Sequence, residues 1–345
     1  MILADLTYEE VEKLAAELGV PSYRAKQLYA HITRFDEYDE MSDLPAAFRE
    51  KLKSLYAAHG VEIEKKLVSR DGTEKYLYRL TDGNIIEGAF MKQSYGNTLC
   101  VSTQVGCRMG CAFCASGIGG LVRNLTAGEI LSQVLCVNRE AGGNAKMRAV
   151  TNVVLMGSGE PLDNYDEVTK FIRLLSSEKG LDMSERNISL STCGLVENVY
   201  RLADDGFAVT LTFSLHASDD EARRKVMPIA NKYSIAEIVK AAKYYFEKTG
   251  RRVIFEYTMI KGVNMNHFDA KRLSEILRGF PCHVNLIMLN PVKEKNLTGC
   301  TKEEGERFMK KLNEMGLSAT IRKSKGSDVG GACGQLRRSY VNGKA

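Results

Sequence analysis

Hydrophobic and polar residues follow two different patterns along the chain, one in the first quarter and another in the rest. Residues 1 to about 60 carry apolar residues at helical spacing, and Thr7 and Glu10 form a capping box before the first such segment. Residues 61 to about 94 alternate over the shorter stretches VEIEKKLVS, EKYLYRL and NIIEGAFM, with Asp-Gly turns between them. We therefore predict an N-terminal α+β accessory domain over residues 1–94, with helices followed by β-hairpins.

From about residue 99, short apolar strands alternate with amphipathic helices. The strand-like segments are TLCVSTQV, NVVLMG, NISLST, VTLTFSLH, VIFEYTMI, HVNLIML and SATIRK. Three of the helices between them begin with capping boxes, at Thr126/Glu129, Ser234/Glu237 and Thr301/Glu304. This alternation predicts a parallel sheet, and about six units predict a partial (β/α)6-type barrel over residues 95–345. A flat, doubly wound sheet is the alternative.

Length and composition narrow the class of protein. The chain has 345 residues, 44% of them hydrophobic, which is enough for one large core and a small second domain. It contains no run of about 18 apolar residues, so we expect no membrane span. Its first residues lack the basic and apolar pattern of a secretory signal, which predicts a cytoplasmic protein. In that compartment the nine cysteines favour metal binding or catalysis over a disulfide framework.

The basic residues are concentrated near the C-terminus. The formal net charge is +5, and residues 321–345 alone carry six Lys or Arg against one Asp, which equals the excess of the whole chain. A solvated basic tail is one interpretation of this segment. A surface that binds nucleic-acid phosphates is the other.

Three cysteines, Cys107, Cys111 and Cys114, stand close together in GCRMGCAFCAS at the end of the first strand of the repeating pattern. Thiolates suit zinc or an iron–sulfur cluster. A structural zinc site needs four ligands, and the fourth candidate, Cys100, lies within the strand. Three thiolates on a four-iron cluster leave one iron open to an outside ligand. The spacing therefore favours a cluster over zinc, and three unliganded core cysteines are the remaining interpretation.

Polar or glycine-rich groups also follow several of the other predicted strands. They are Gly159-Glu160, Ser191, Ser214 with His216, and Asn290. Each could be an ordinary turn or cap. Because the carboxyl ends of parallel strands meet at one rim, together they predict a site for a ligand with an amine, a carboxylate and a ribose.

The motif CRMGCAFC matches the Cys-x3-Cys-x2-Cys signature of radical S-adenosylmethionine (SAM) enzymes. The surrounding segments resemble, in order and over nearly the whole chain, the RlmN family of radical SAM methyltransferases. They are TLCVSTQVGC, LVRNLTAGEI, LMGSGEPLDN, LSTCG, FSLHA, HVNLIMLNP and ACGQLRR. The chain departs from the family at Ser158, where methionine is usual, and at Gly330-Gly331, where a bulkier or acidic residue is expected before Ala332.

The resemblance implies an enzyme that methylates C2 of adenine 2503 in 23S rRNA and C2 of adenine 37 in tRNA. C2 lies between two ring nitrogens and is too electron-poor to attack a methyl sulfonium, so a radical route is needed. The family implies a methyl group carried on Cys333 and a 5′-deoxyadenosyl radical made from a second SAM. The sibling Cfr family, which methylates C8 of adenine 2503 and confers antibiotic resistance, shares most of these motifs and is the alternative.

The resemblance also implies the roles of individual residues. Cys107, Cys111 and Cys114 are expected to bind one [4Fe-4S] cluster, and two SAM molecules are expected per turnover. Cys333 is expected to become the S-methylcysteine, Cys100 to resolve it through a disulfide, and Glu87 to accept a proton. The expected SAM contacts are Gly159, Glu160, Ser191, Ser214, Leu215, His216 and Asn290.

The expected partners follow from the same resemblance. They are 23S rRNA and tRNA, with base extrusion delivering the adenine, and an electron donor such as flavodoxin or ferredoxin. We expect a monomer without membrane contact, and RNA contacts from the accessory domain and the basic C-terminal residues. An alternative of another class is a zinc-stabilised RNA-binding module without catalysis.

Overall fold

The computed structural model describes residues 1–94, 96–290, 297–329, 334–341 and 343. Three helices come first: α1 (Tyr8–Glu17), α2 (Tyr23–Arg34) and α3 (Ala46–Leu55). The predicted capping box is present at the start of α1, where the Thr7 hydroxyl accepts from the Glu10 N–H. The apolar faces of these helices are buried in the same core as the rest of the described chain. The helical prediction for this region is therefore confirmed.

Three antiparallel strands follow the helices: β1 (Val61–Val68), β2 (Glu74–Leu80) and β3 (Ile85–Met91). Strand β3 also pairs antiparallel with β4 (Thr98–Cys100), so the hairpin strands extend the edge of the main sheet. Backbone hydrogen bonds thus cross the expected domain boundary near residue 94, and that boundary stays a prediction.

The main sheet continues from β4 through six further strands in sequence order, and each pairs parallel with the one before it. These strands are β7 (Asn152–Leu155), β8 (Ile188–Thr192), β9 (Thr210–Ser214), β10 (Val253–Met259), β11 (Cys282–Met288) and β12 (Ala319–Ile321). A doubly wound sheet reverses its strand order, whereas this order is sequential as in a barrel wall. The predicted α/β fold with a partial barrel is confirmed.

The helices that connect these strands carry the local signals read from the sequence. They are α4 (Ala127–Glu140), α5 (Tyr165–Ser176), α6 (Val196–Asp204), α7 (Asp220–Val226), α8 (Ile235–Thr249), α9 (His267–Ile276), α10 (Lys302–Glu314) and α11 (Gln335–Val341). All three predicted capping boxes, on α4, α8 and α10, are present. Among the described residues, no helix is both long enough and apolar enough to cross a lipid bilayer.

The structure departs from the sequence prediction after β4. The segment TLCVSTQV is not one strand, because the chain leaves the main sheet and forms β5 (Gln104–Gly106), which pairs with β6 (Leu121–Asn124). A Cβ atom on Gly106, which has φ +83°, would lie 2.1 Å from the carbonyl oxygen of Gly120. The close crossing of the two strands therefore requires glycine there, and it closes the loop that holds the three cysteines.

The central strands pack through aromatic side chains, which generates a stability prediction. Phe213 on β9 is fully buried and stacks on Phe255 of β10 with ring centroids 5.7 Å apart. We expect Phe213→Ala to lower the free energy of unfolding by about 3–5 kcal/mol, because the neighbouring strands cannot fill the space left by the phenyl ring. Urea titration of the metal-free protein measures this loss.

The same substitution at an exposed phenylalanine is the control. Phe268 is 66% exposed, so Phe268→Ala should change the free energy of unfolding by no more than about 0.5 kcal/mol. Equal losses in the two variants would contradict the packing described for the sheet.

Candidate functional site

One cavity of about 1060 Å³ runs along the inner face of the parallel strands. Because side chains alternate across a strand, every second residue faces this cavity. Ser189 and Ser191 of β8 and Thr212 and Ser214 of β9 follow this rule and line the wall. The lining is rich in hydroxyl, amide and charged groups, which suits a polar ligand.

The three cysteines lie in the loop between β5 and β6, and all three line the cavity. The Ala112 N–H donates to the carbonyl of Val226 at 2.8 Å, and the Cys107 N–H donates to that of Gly120 at 3.1 Å. Burial raises the pKa values of Cys107 and Cys111 to about 12, so these thiols are protonated in the metal-free chain. Iron would replace those protons, since metal ligation requires thiolates.

The three thiols of this loop are soft ligands of the kind that iron–sulfur clusters take. Three thiolates on a four-iron cluster leave one iron open to a further ligand. Cys107, Cys111 and Cys114 therefore fit as the ligands of such a cluster.

Gly159 and Glu160 follow β7 and lie beside the cysteine loop. Gly159 has φ +114°, and a Cβ atom there would lie 2.7 Å from the hydroxyl of Thr103. The Glu160 side chain is buried, and its two carboxylate oxygens accept from the N–H groups of Cys193 at 2.7 Å and Leu162 at 3.1 Å. Burial raises the pKa of this carboxyl group. The two bonds fix its orientation at the cavity.

His216 follows β9 in a left-handed conformation, with φ 57°. Its Nδ1 accepts from the N–H of Thr258 at 2.9 Å, and its carbonyl accepts from the Asn264 side chain at 2.9 Å. Burial, together with the charge of Arg223, lowers the pKa of His216 to about 3. The ring is therefore neutral, and because Nδ1 is an acceptor, Nε2 carries the proton.

Of the other predicted SAM contacts, Ser191, Ser214 and Asn290 line the cavity. Leu215 does not: its side chain is fully buried in the hydrophobic core. Its N–H donates to the carbonyl of Glu256 at 3.0 Å, and its carbonyl accepts from Arg223 at 3.1 Å. These contacts pack the side chain and hold the strand end, and the expected contact of Leu215 with SAM stays a prediction.

Glu87 of β3 and Cys100 at the end of β4 line the same cavity. The hairpin strands therefore bring both predicted catalytic residues to the wall that faces the cysteine loop. Cys333 lies outside the described residues, as do Gly330 and Gly331, so its role stays a prediction. Ser158, the other departure from the family, is buried, and its N–H donates to the hydroxyl of Ser102 at 3.0 Å.

Several site residues were missed by the sequence analysis. Lys75 on β2 pairs with Glu87 at 2.9 Å, and both side chains are buried. Glu256 inside the sheet pairs with Arg322 at 2.9 Å, and both line the cavity. Strand β2 also carries Glu74 and Arg79, so Lys75 did not stand out, and the first pair depends on the pairing of β2 with β3. The second joins residues far apart in sequence, and no local pattern marks it.

Arg223 was also missed, and it ties two strand ends together. Its fully buried guanidinium group donates to the carbonyls of Cys193 at 2.7 Å, Leu215 at 3.1 Å and Ser214 at 3.2 Å. A buried cation needs such partners. Arg223 thereby fixes the turns after β8 and β9, where three of the predicted SAM contacts lie.

Comparisons with known proteins agree with this architecture. Residues 101–271 match the model of the Radical SAM superfamily, and residues 1–57 match that of the Ribosomal RNA large subunit methyltransferase N-terminal domain. A crystal structure of a radical SAM methyltransferase from Sphaerobacter thermophilus superposes with a TM-score of 0.93 at 42% identity, covering 97% of this chain and 98% of that one.

Curated relatives cover the whole chain. The "Probable dual-specificity RNA methyltransferase RlmN" of Clostridium perfringens (strain 13) is 49% identical over 345 residues, which span 99% of this chain and 98% of the relative. The protein of the same name from Lachnospira eligens is 48% identical over 342 residues, 98% of this chain and 96% of the relative.

The fold and the cysteine loop define a radical SAM enzyme, which uses SAM and a [4Fe-4S] cluster. The matches extend through the N-terminal helices and on to the C-terminal residues. The chain belongs to the RlmN family of radical SAM methyltransferases. The family resemblance and the enzyme class are thereby confirmed, and a zinc module without catalysis is excluded.

The buried neutral state of His216 generates a pH prediction. The unfolded chain protonates this histidine below pH 6.5 and the folded chain only near pH 3, so its contribution to stability falls as the pH drops through 6.5. Between pH 7 and pH 5 this loss is about 2 kcal/mol. We expect His216→Asn to remove this pH-dependent loss, because Asn does not titrate in this range. Asn also tolerates positive φ and offers an acceptor to the N–H of Thr258, so the local structure should be kept.

Urea titrations of the metal-free wild type and variant at pH 7 and pH 5 measure this difference. Other titrating groups contribute equally to both proteins and cancel in the comparison. The same pH dependence in the two proteins would contradict a buried, neutral His216.

Proposed function

We propose that this chain methylates C2 of adenine 2503 in 23S rRNA and C2 of adenine 37 in tRNA. The observation that supports the proposal is the single cavity that Cys107, Cys111, Cys114, Glu87 and Cys100 share with the strand-end polar groups. Its relatives are named dual-specificity RNA methyltransferases, which agrees with an RNA substrate.

The cavity suits a reaction that needs cofactor and acceptor side by side. When bound, the cluster and SAM supply the 5′-deoxyadenosyl radical, which the electron-poor ring carbon requires. Gly159, Glu160, Ser191, Ser214 and His216 are proposed to hold SAM. Their side chains or backbone are fixed by hydrogen bonds or tight packing, so binding needs little reordering. Asn290, which lines the cavity, and Leu215 are proposed to complete the set of SAM contacts.

Methyl transfer is proposed to use two thiols outside the cluster. Cys333 as thiolate takes a methyl group from one SAM, and a second SAM provides the radical. The radical takes a hydrogen atom from the S-methyl group, and the remaining methylene carbon bonds to C2. The adduct gives up one electron, which the oxidised cluster would accept, and Glu87 accepts the C2 proton. The Cys100 thiolate then attacks the Cys333 sulfur, so that the S–S bond forms as the S–C bond breaks, and the released carbon takes up a proton to become the methyl group. External thiol reductants restore both thiols for the next turnover.

RNA is proposed to approach the cavity mouth. Lys92, Arg186 and Lys323 are exposed on its lining, so they can meet phosphate groups. Arg322 is instead paired with Glu256, and Arg337 is half-buried against the carbonyl of Ile85, so part of the basic C-terminal segment serves the protein itself. Extrusion of the adenine would bring its ring into the cavity.

The proposal includes RNA contacts from the helices of the N-terminal region and a flavodoxin or ferredoxin that supplies electrons to the cluster. The enzyme acts as a monomer in the cytoplasm, where ribosomal and transfer RNA occur.

Mass spectrometry of the modified nucleoside tests the proposed function. Reconstituted enzyme is incubated without oxygen with SAM, a reductant and RNA fragments that contain either target adenine. We expect 2-methyladenosine at both positions. 8-Methyladenosine as the main product would identify the C8 reaction instead, and no methylated nucleoside from either RNA would refute the proposal.

The role of Cys333 generates a separate prediction. We expect Cys333→Ala to abolish RNA methylation and to leave no S-methylcysteine in the protein, because no other thiol is assigned to carry the group. Peptide mass spectrometry detects the added methyl group directly.

Cys300→Ala is the matched control. The Cys300 sulfur contacts Met288 at 3.7 Å and does not line the cavity, so activity should stay within about twofold of wild type. Full activity of Cys333→Ala would contradict the carrier role.

A further inference from the structure

Residues 326 and 328 are hydrogen-bonded to the turn between β1 and β2. The N–H of Gly326 donates to the carboxylate of Asp71 at 3.1 Å. Asp328 accepts from the N–H of Arg70 at 3.1 Å and from the hydroxyl of Ser69. The turn between β1 and β2 thus holds the chain just before residue 330.

After residue 333 the chain is held by a buried carboxylate. Glu87, whose side chain is 1% exposed, accepts through Oε1 from Lys75 at 2.9 Å and from the N–H of Gly334. Its Oε2 accepts from the N–H of Arg337 at 2.9 Å. The carboxylate therefore caps the first turn of α11, while the buried ammonium group of Lys75 balances its charge.

Gly334 also contacts the cysteine loop. Its φ is +80°, and a Cβ atom there would lie 2.6 Å from the nitrogen of Ser116 and 2.9 Å from the carbonyl carbon of Ala115. These residues directly follow Cys114. Because Cys333 is covalently joined to Gly334, the hydrogen bond from Gly334 to Glu87 places the attachment point of Cys333 beside the cluster ligands.

We propose that Lys75 and Glu87 form a clamp that holds Gly334 and the first turn of α11 against the cysteine loop, and so fixes the residue to which Cys333 is joined. Lys75 is a positioning residue that holds the Oε1 atom of Glu87 at 2.9 Å, and Glu87 is the acceptor for both main-chain N–H groups. This role rests on the proposed function of Cys333. It is compatible with proton transfer, because the described residues supply three donors and a carboxylate has about four lone-pair sites.

A simpler explanation is that the pair only stabilises the sheet. Buried ion pairs are often replaceable by neutral residues of similar size without loss of stability. The two explanations differ in what happens to the amides of residues 334–341. A clamp requires a charged acceptor for both N–H groups, whereas a charge pair requires only that both charges are present or both absent.

Hydrogen–deuterium exchange on the full chain, without RNA, separates these explanations. In Glu87→Gln one acceptor oxygen remains for two N–H groups, so exchange in residues 334–341 should rise by about tenfold or more, as expected for one charge-assisted hydrogen bond. Lys75→Met should raise exchange there as well. Peptides from β8 and β9 should keep the wild-type rate in both variants.

Two further proteins complete the comparison. Glu62→Gln makes the same chemical change at an exposed position of β1 and should leave exchange at residues 334–341 unchanged. The double variant Lys75→Met/Glu87→Gln should still exchange about tenfold faster, because it restores charge balance but not the second acceptor. Exchange at the wild-type rate in the double variant would overturn the clamp in favour of a charge pair.

Unchanged exchange at residues 334–341 in Glu87→Gln would also overturn the proposal. If Glu87→Gln raises exchange throughout the sheet, Glu87→Asp is the deciding variant. Its side chain keeps the charge but is one methylene shorter, so its oxygens lie further from the two N–H groups. Faster exchange confined to residues 334–341 is expected, and wild-type exchange would refute the clamp.

Methylation of Cys333 links the clamp to the reaction. In Glu87→Gln the fraction of chains with S-methylcysteine should fall by about tenfold, in step with the exchange. Normal methylation of Cys333 with loss of RNA methylation alone would show that Glu87 acts only in proton transfer. Exchange needs no RNA, so a wild-type enzyme that fails to methylate RNA refutes the proposed function while the exchange data still decide the clamp.

Discussion

Parallel hydrogen bonding between strands that follow one another in sequence determines where the strand-end groups of the cavity lie. The register from β4 to β12 brings the strand ends to one rim, and the side-chain alternation turns every second residue toward one cavity. The chain leaves the main sheet after β4, and the cysteine loop follows between β5 and β6. Its thiols therefore lie at this rim. The antiparallel strands β1–β3 add Glu87 and Lys75 from the other side.

Buried ionisable groups around the cavity are satisfied mainly by the protein backbone. Glu160 and Glu87 each accept two main-chain N–H groups, and Arg223 donates to main-chain carbonyls of three strand-end residues. His216 is held by one main-chain donor on its ring. These bonds are all formed within the protein itself, without a ligand. The site is therefore preorganised, and its charges are oriented without solvent.

Local signals predicted much of this structure. The capping boxes at Thr7, Thr126, Ser234 and Thr301 depend on residues three apart, so the sequence shows them directly. The order of strands and helices followed from the hydrophobic pattern, and the cysteine trio from its spacing. The pairs Lys75–Glu87 and Glu256–Arg322 could not be predicted, because strand register and contacts over long sequence separations bring them together. The break within TLCVSTQV was missed because no glycine or proline interrupts the segment.

The central claim is that the three thiols and the strand-end groups of this one cavity bind a cluster and SAM together. Its most direct test is the reductive cleavage of SAM by anaerobically reconstituted protein, without RNA. The account predicts methionine and 5′-deoxyadenosine in equal amounts from the wild type, and neither product from the triple variant Cys107→Ala/Cys111→Ala/Cys114→Ala. Intact SAM after incubation with wild-type protein that holds its full complement of iron would contradict it.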